Sequence, residues 1–461
     1  MGNKQSHASV DGPLGHATIV APLDSESSEI FKLNIDCLDE IFEYLNVKDL
    51  HSFGQTCKRM NKVAGEYFKQ NYSSAEKFCE KDGIYMRYFD KDGVFNKLTQ
   101  SSGFIKFMPY ISHCYCDLGP LKYIKSHISE FESTNHIYLR WQRINSKRVK
   151  HFKQLLPQLE IVQHRECSMN GDFYDLILKH CKNLREIRVV DWDTGNRRNG
   201  KFNWLLQEYP KLELLELSTS DSYQFKELRK FFVRNQNVQI FSTTSIMLWQ
   251  NGDVLLDSNA KLDILQVTKF DNYKWTSSYR KHTFETSLEL LIRLHERGFY
   301  KRLYIYISIA HEEEITSFIS LKGLEFLCVV YFDKSLAQLT NLRILIMCGC
   351  GSAEDMEILA NGLTKLERLY IRRGGIDDIM PFIRRSLKLN KIKFIPRYDG
   401  VVLNLAMMNE ERAKLSGARK IIIYTRDDVF LATKWTTTNG DTNLNFIEMR
   451  RWNSIKWENW N

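Results

Sequence analysis

The apolar residues between positions 33 and 68 recur at intervals of three and four, the spacing of amphipathic helices. Three stripes result, formed by Leu38, Ile41, Phe42 and Leu45, then by Leu50 and Phe53, and then by Met60, Val63, Ala64, Tyr67 and Phe68. We expect Asp36 to cap the first helix and Asn46 to cap the second, with Asp49 as its acidic third residue. Three such short helices bury little apolar surface by themselves, so this module needs a partner or a neighbouring domain.

Further along the chain, the pattern changes to a degenerate repeat of the form L-x-x-L-x-L. The units begin at Leu159, Leu184, Leu212, Val238, Leu262, Tyr300, Leu324, Leu342, Leu366 and Leu389, with end units at Thr134 and Ala418. Between Leu159 and Leu389 successive units lie 18 to 28 residues apart, except for a step of 38 residues from Leu262 to Tyr300, which hides a degenerate unit or a loop. Each unit predicts a short strand that begins with a buried anchor and follows a helix-compatible stretch.

These patterns divide the chain into parts with different roles. We expect a flexible tail at 1–30, an all-α helical module at 31–72, a connecting segment at 73–130, a repeat region at 131–424 and a C-terminal cap or tail at 425–461. Trp435, Trp452, Trp457 and Trp460 crowd the last part. They serve either to cover the last strand or as a partner-docking tail.

Composition narrows the class of protein. With 43% hydrophobic and 26% charged residues the chain is expected to fold, and it contains no apolar run long enough to span a membrane. The net charge of +9 is a mild excess without a long basic block, so nucleic acid is not expected as a partner. The N-terminus lacks a secretory signal, and the ten cysteines contain no CxxC pair, so we expect thiols in a reducing compartment.

Motifs that carry chemistry are missing. There is no dinucleotide-binding or phosphate-binding glycine pattern, no H-E-x-x-H and no G-x-S-x-G, so the chain is not expected to be an enzyme. His113-Cys114-Tyr115-Cys116 lacks a second metal-binding pair at zinc-finger spacing, and Asp90 and Asp92 alone do not make a calcium loop. We therefore expect neither a metal nor a cofactor.

The first six residues, Met1-Gly2-Asn3-Lys4-Gln5-Ser6, fit the pattern for N-myristoylation at Gly2. One acyl chain binds membranes only marginally, and no second signal is present. We expect a cytoplasmic or nuclear protein, with membrane association only if Gly2 is lipidated.

The helical module resembles an F-box. The matching positions are Leu33, Leu38, Glu40, Ile41, Phe42, Leu45, Asp49, Leu50, Cys57, Lys58 and Ala64. Two positions depart from the family pattern, because Asn34 stands where a proline is usual and Met60 where a tryptophan is usual in the third helix. The resemblance implies docking on a Skp-type linker protein, and through it on a cullin. The residues that it assigns to the linker-binding face or its support are Leu33, Asn34, Ile41, Leu45 and Leu50.

The repeat resembles the leucine-rich repeat, which implies an α/β solenoid with irregular repeats and a curved parallel sheet. Residues between the second and third anchors then point away from the core, onto the concave side. We expect a protein substrate to bind there, on Arg188, Glu216, Tyr304, Tyr370 and Lys393. The other residues predicted on this face are Gln266, Cys328 and Ile346, with Tyr138, Gln163, Ser242 and Ile422 in weaker units. Tyrosines, isolated charges and apolar groups suit a protein partner better than a phosphate chain.

Three functions remain open. The first is a substrate adaptor of an SCF-type cullin-RING ubiquitin ligase, in which the F-box-like module binds the linker and the repeats bind the protein to be ubiquitinated. The second is a repeat scaffold that does not engage the ligase, which Asn34 and Met60 keep open. The third is an RNA-binding repeat protein, supported only by the positive charge and 12% aromatic residues.

Overall fold

The structure is a computed structural model, and it divides the chain into two compact units, Met1–Ala64 and Gly65–Asn461. The residues that it describes are 30, 33–72, 75–80, 83–89, 95–99, 113–116, 121–191, 202–219, 224–270, 284–307, 312–330, 332–437 and 440–451. Gly2, Asp90, Asp92, Trp452, Trp457 and Trp460 lie outside them.

The helices predicted near the N-terminus are present as α1 (Ile35–Phe42), α2 (Val47–Gly54) and α3 (Lys58–Asn71). The α1 cap is Asn34 and not Asp36, because the Asn34 side-chain oxygen accepts a hydrogen bond from the Cys37 amide at 2.8 Å. Asp36 lies in the first turn, where a carboxylate favours the helix dipole. The predicted cap of α2 is confirmed, since Asn46 accepts from the Asp49 amide at 3.0 Å.

The first unit has its own small apolar core. Fully buried side chains come from all three helices: Leu38, Phe42, Val47, Leu50, Met60 and Ala64. The Phe42 and Phe53 rings meet edge to face with their centroids 5.4 Å apart. Met60 is completely buried, so the residue that replaces the usual tryptophan still fills the core.

The second unit is built around one large sheet. Its strands, with the small pair β6 and β8, are β1 (Glu76–Glu80), β2 (Gly83–Phe89), β3 (Phe95–Thr99), β4 (His113–Cys116), β5 (His136–Arg140), β6 (Arg143–Ile144), β7 (Ile161–Arg165), β8 (Ser168–Met169), β9 (Glu186–Asp191), β10 (Leu214–Thr219), β11 (Ile240–Thr244), β12 (Leu262–Lys269), β13 (Tyr300–Ile307), β14 (Leu324–Val329), β15 (Ile344–Met347), β16 (Arg368–Gly374), β17 (Lys391–Pro396), β18 (Ile421–Thr425) and β19 (Ile447–Arg451).

Helices alternate with these strands. After α3 they are α4 (Leu121–Ser126), α5 (Ser146–Val149), α6 (Phe173–Leu176), α7 (Leu228–Arg234), α8 (Ser245–Gln250), α9 (Gly252–Leu256), α10 (Phe284–Glu296), α11 (Glu312–Ser317), α12 (Ala353–Gly362), α13 (Ile376–Arg385), α14 (Leu405–Ala413) and α15 (Asp427–Thr436). Short 3₁₀ turns replace the helix in several repeats, for example at Lys153–Gln158 and Lys334–Gln338. No helix among the described residues is long and apolar enough to cross a membrane.

The sheet has 17 strands within the described residues and is parallel over most of its width. Strands β3, β2 and β1 pair antiparallel, and β1 then pairs parallel with β4. From β4 onward each sheet strand runs parallel to the next, through β5, β7 and β9 to β19. A helical F-box-like region followed by a large parallel sheet with helices is consistent with an α/β repeat solenoid.

Apart from Ala418, which is half-buried, the predicted anchors lie in the core of the second unit. Leu212, Leu215 and Leu217 on and before β10 are at most 1% exposed, and Leu345 on β15 is fully buried. Their burial follows from the alternation of side chains along a strand.

The sheet extends beyond both ends of the predicted repeat region. Strands β1 to β4 lie in the segment expected to be a connection, and β19 lies in the expected cap. The interval from Leu262 to Tyr300 holds β12 and the helix α10, with residues 271–283 outside the described part. Trp435 does not cover the last strand, because it projects from α15 with 65% of its surface exposed.

Buried polar side chains tie neighbouring repeats together. The Asn235 side-chain oxygen accepts from the Tyr209 amide at 2.6 Å, and its amide group donates to the Gln207 carbonyl at 3.0 Å. Asn251 accepts from the Phe225 amide in the same way, at 2.6 Å. Each bond joins residues more than 25 positions apart, so these side chains satisfy backbone groups of the preceding repeat.

Candidate functional site

The residues predicted to bind a linker occupy three different environments. Leu33, Ile41 and Leu45 are half-buried, so each leaves apolar surface accessible. Asn34 is exposed but is engaged as the α1 cap, which explains how the chain begins this helix without the usual proline. Leu50 is completely buried in the module's own core, so it supports the face and cannot itself contact a partner.

Two apolar residues of the module that the sequence did not single out are exposed. Ile35 is 58% exposed and Tyr44 is 57% exposed. Both lie outside the apolar stripe that fills the core. Their positions off this stripe could have predicted from the sequence that they are exposed. Isolated exposed apolar residues are common, but here they accompany the half-buried Ile41 and Leu45 in one short segment.

The same segment is acidic. Partial burial, followed by the neighbouring carboxylates of Asp36, Glu43 and Glu40, raises the pKa of Asp39 above its ordinary value. Like charges repel one another along α1, and a cationic partner would relieve that repulsion. The module therefore offers a partner accessible apolar groups beside negative charge.

The strand register places the predicted substrate-binding residues on one face of the sheet. Glu216 on β10 pairs with Arg188 on β9, and Tyr370 on β16 pairs with Lys393 on β17. Tyr304 on β13 pairs with Phe326 on β14, across a register shift. The sheet thus groups these residues into a charged cluster on β9 and β10 and an aromatic cluster on β13 to β18.

Their expected exposure is wrong. Glu216, Tyr304 and Tyr370 are 4–7% exposed, and Lys393 is completely buried. Adjacent strands lie about 4.8 Å apart, so large side chains in register cover one another. The Tyr304 and Phe326 rings stack with centroids 5.1 Å apart, and the Lys393 ammonium lies 4.6 Å from the Tyr370 ring centre.

Ile346, which was also predicted on the concave face, belongs to the same packed layer. The layer comprises Ile264, Tyr304, Phe326, Ile346, Tyr370 and Tyr424. This face is therefore a second apolar core, and the aromatic residues that the sequence analysis assigned to substrate stabilise the fold.

The charged cluster is a largely buried ion-pair network. Arg188 contacts Glu186 at 2.7 Å and Glu216 at 3.4 Å. Burial raises the pKa of Glu216, and Arg188 opposes that rise. Burial alone would lower the pKa of Arg188, but Glu186 and Glu216 outweigh it and raise this pKa. Because Arg188 already contacts two carboxylates, its positive charge is not available to an anionic ligand.

Comparison with protein families identifies the N-terminal module. Residues 30–67 match the model of the F-box domain, so the accessible Leu33, Ile41 and Leu45 lie within an F-box domain. This match supports an F-box protein, a class of typically non-catalytic adaptors whose F-box binds Skp-type linkers in SCF ligases. The match ends before β1, so it does not cover the parallel sheet. No curated protein matches the chain.

Proposed function

We propose that the protein is a substrate-recognition adaptor of an SCF-type ubiquitin ligase. The observation that carries the proposal is the F-box domain at residues 30–67, folded around its own core and with apolar side chains left accessible. In this function the F-box docks on a Skp-type linker, and through it on a cullin, while the leucine-rich repeat region binds the protein to be ubiquitinated. The chain itself performs no chemistry.

Binding of the purified chain to a purified Skp-type linker tests the first half of this function. Leu45→Asp places a charge on half-buried apolar surface, where an apolar contact with the linker would bury it. Burial of an unpaired carboxylate costs several kcal/mol, so we expect affinity to fall by about a hundredfold or more.

Leu387→Asp is the matched control, because Leu387 is 45% exposed and lies in the second unit. It should bind the linker as the wild type does. Circular dichroism must show that both variants keep their helical content. If folded Leu45→Asp binds with wild-type affinity, or if the wild type does not bind, the docking proposal fails and the unengaged repeat scaffold is favoured.

Substrate recognition needs a surface other than the buried aromatic layer. Tyr304, Tyr370 and Lys393 would have to leave their packing to contact a partner, which costs more than an exposed contact returns. We therefore place substrate binding on exposed groups of the repeat region.

A further inference from the structure

A polar groove of about 710 Å³ lies along one edge of the sheet, where β9 to β13 begin. Its walls come from the segments that lead into these strands and from their first residues, and they include Arg185, Lys211, Glu213, Lys261, Asp263 and Lys301. Five parallel strands span about 19 Å, which is the length of about six extended residues. The groove is therefore long enough for a short peptide segment.

The carboxylates in the groove already have arginine partners. Glu213 accepts two-pronged hydrogen bonds from Arg185, with the shortest ion-pair distance at 2.7 Å. Asp263 is paired with Arg302, which lies beside the groove on β13. Neither carboxylate is free to neutralise a lysine.

The lysines of the groove have no carboxylate partner in the part of the chain that the structure describes. Lys211 donates to the neutral side chain of Asn183 at 2.8 Å, which leaves its positive charge uncompensated by these residues. Lys261 and Lys301 are exposed and have neither a hydrogen bond nor an ion pair from their side chains to the described residues. Positive charge in a concave site focuses the local field and attracts anionic ligands.

The neutral lining favours a peptide over a nucleic acid. Its described walls contain no aromatic ring on which bases could stack. The exposed Gln239 side chain offers both a donor and an acceptor, which suits a peptide backbone.

We propose that this groove binds an acidic peptide segment, with Lys211, Lys261 and Lys301 as its charge contacts. Resting on the adaptor function proposed above, the segment belongs to the protein that the ligase ubiquitinates. The groove thereby defines the substrate class as proteins that display a short, exposed, glutamate- or aspartate-rich stretch.

Fluorescence anisotropy with a fluorescein-labelled octaglutamate peptide tests the site on the purified full chain. The wild type should bind the peptide, the affinity should fall as salt is raised, and labelled octaglutamine should not bind. The double variant Lys261→Glu/Lys301→Glu should lose at least tenfold in affinity, since it reverses two of the charge contacts.

Lys230→Glu/Lys388→Glu is the matched control, because it changes the net charge equally at exposed lysines outside the groove. Its affinity for octaglutamate should remain within about twofold of the wild type if binding depends on the lysines of the groove rather than on the net charge of the protein. The proposal is overturned if the wild type does not bind octaglutamate or if both double variants lose affinity equally. Tighter binding of labelled oligouridylate that only the groove variant loses would make this a nucleic-acid site and would also overturn it.

Linker binding separates this proposal from the adaptor function. The groove variant should form the linker complex normally, because its substitutions lie far along the chain from residues 30–67. Loss of peptide binding with an intact linker complex supports the groove as an independent site. If the wild type binds octaglutamate but no linker, the groove stands and the adaptor function fails.

Discussion

Arg412 on α14 tests how the repeats are held together. It is completely buried, and all of its N–H donors point at backbone carbonyls rather than at a carboxylate. The acceptors are Ile383, Ser386, Leu387, Leu389 and Arg419, at 2.8–3.2 Å. Burial lowers the pKa of Arg412 to about 10, so the side chain stays protonated at neutral pH.

Arg412→Met keeps an unbranched apolar stem, is shorter than arginine by the end of the guanidinium group, and removes every donor. A hydrogen bond from a charged group contributes about 1.5–3 kcal/mol, and a buried acceptor left without a partner costs about 1–3 kcal/mol. The gain from no longer burying a charge offsets several kcal/mol of this loss. We expect a net destabilisation of about 3–5 kcal/mol, because five backbone carbonyls lose their donor at once.

Native-state hydrogen exchange measures this loss where it occurs. Four of the five carbonyls that Arg412 binds lie at the end of α13 and in the connection to β17, so amides of that repeat should exchange faster. A loss of 3–5 kcal/mol corresponds to an increase of roughly a hundredfold to a few thousandfold. Arg419→Met is the control, since Arg419 is exposed and its side chain makes no bond to the described residues.

Arg412 does not hold these repeats together if hydrogen exchange in this repeat stays within threefold of the wild type. Arg412→Lys adds a graded test, because it keeps the charge but has three donors instead of five. It should fall between the wild type and Arg412→Met.

The remaining predictions concern the aromatic layer and the last strand. Tyr370→Ala should destabilise the protein by about 3–5 kcal/mol in urea titrations, because its buried ring leaves a cavity, whereas wild-type stability would mean the layer is not packed. Arg451→Met should lower stability by about 2–4 kcal/mol, because it removes a 3.0 Å hydrogen bond to Tyr67 and the 3.7 Å ion pair with the buried Asp427. Hydrogen exchange at the C-terminal end of α3 should then rise, and unchanged exchange there would contradict this role of Arg451.

The strand positions could be predicted because each repeat carries its own L-x-x-L-x-L pattern of anchors. The anchors Leu212, Leu215 and Leu217 recur in pattern, and the alternation of a strand then decides which neighbours lie on the other face. This reasoning places Arg188 and Glu216 on one face, and the register agrees.

The burial of that face could not be predicted from any one repeat. It arises between residues from different strands, such as Tyr304 on Phe326 and Lys393 on Tyr370, whose mutual coverage depends on register. The Asn34 cap was missed for a different reason. Asparagine and aspartate both cap helices, so the sequence alone did not decide between Asn34 and Asp36. Asn34 is the cap because its backbone is extended, as a cap requires, whereas Asp36 is already in the first turn of α1.

The groove also lies beyond single-repeat reasoning. Lys211, Lys261 and Lys301 are separated by up to 90 residues, and isolated lysines in a sequence indicate only solvent exposure. The parallel sheet brings the beginnings of their strands to one edge. The arginine partners of Glu213 and Asp263 then decide which charges remain uncompensated.

Quantitative co-purification from cells, comparing the tagged wild-type chain with Leu45→Asp, tests the adaptor function most directly. An adaptor should lose the Skp-type linker and the cullin together on Leu45→Asp, while it retains, and accumulates, the proteins bound through the repeat region. Equal recovery of linker and cullin with both chains, at equal expression, would contradict the adaptor function.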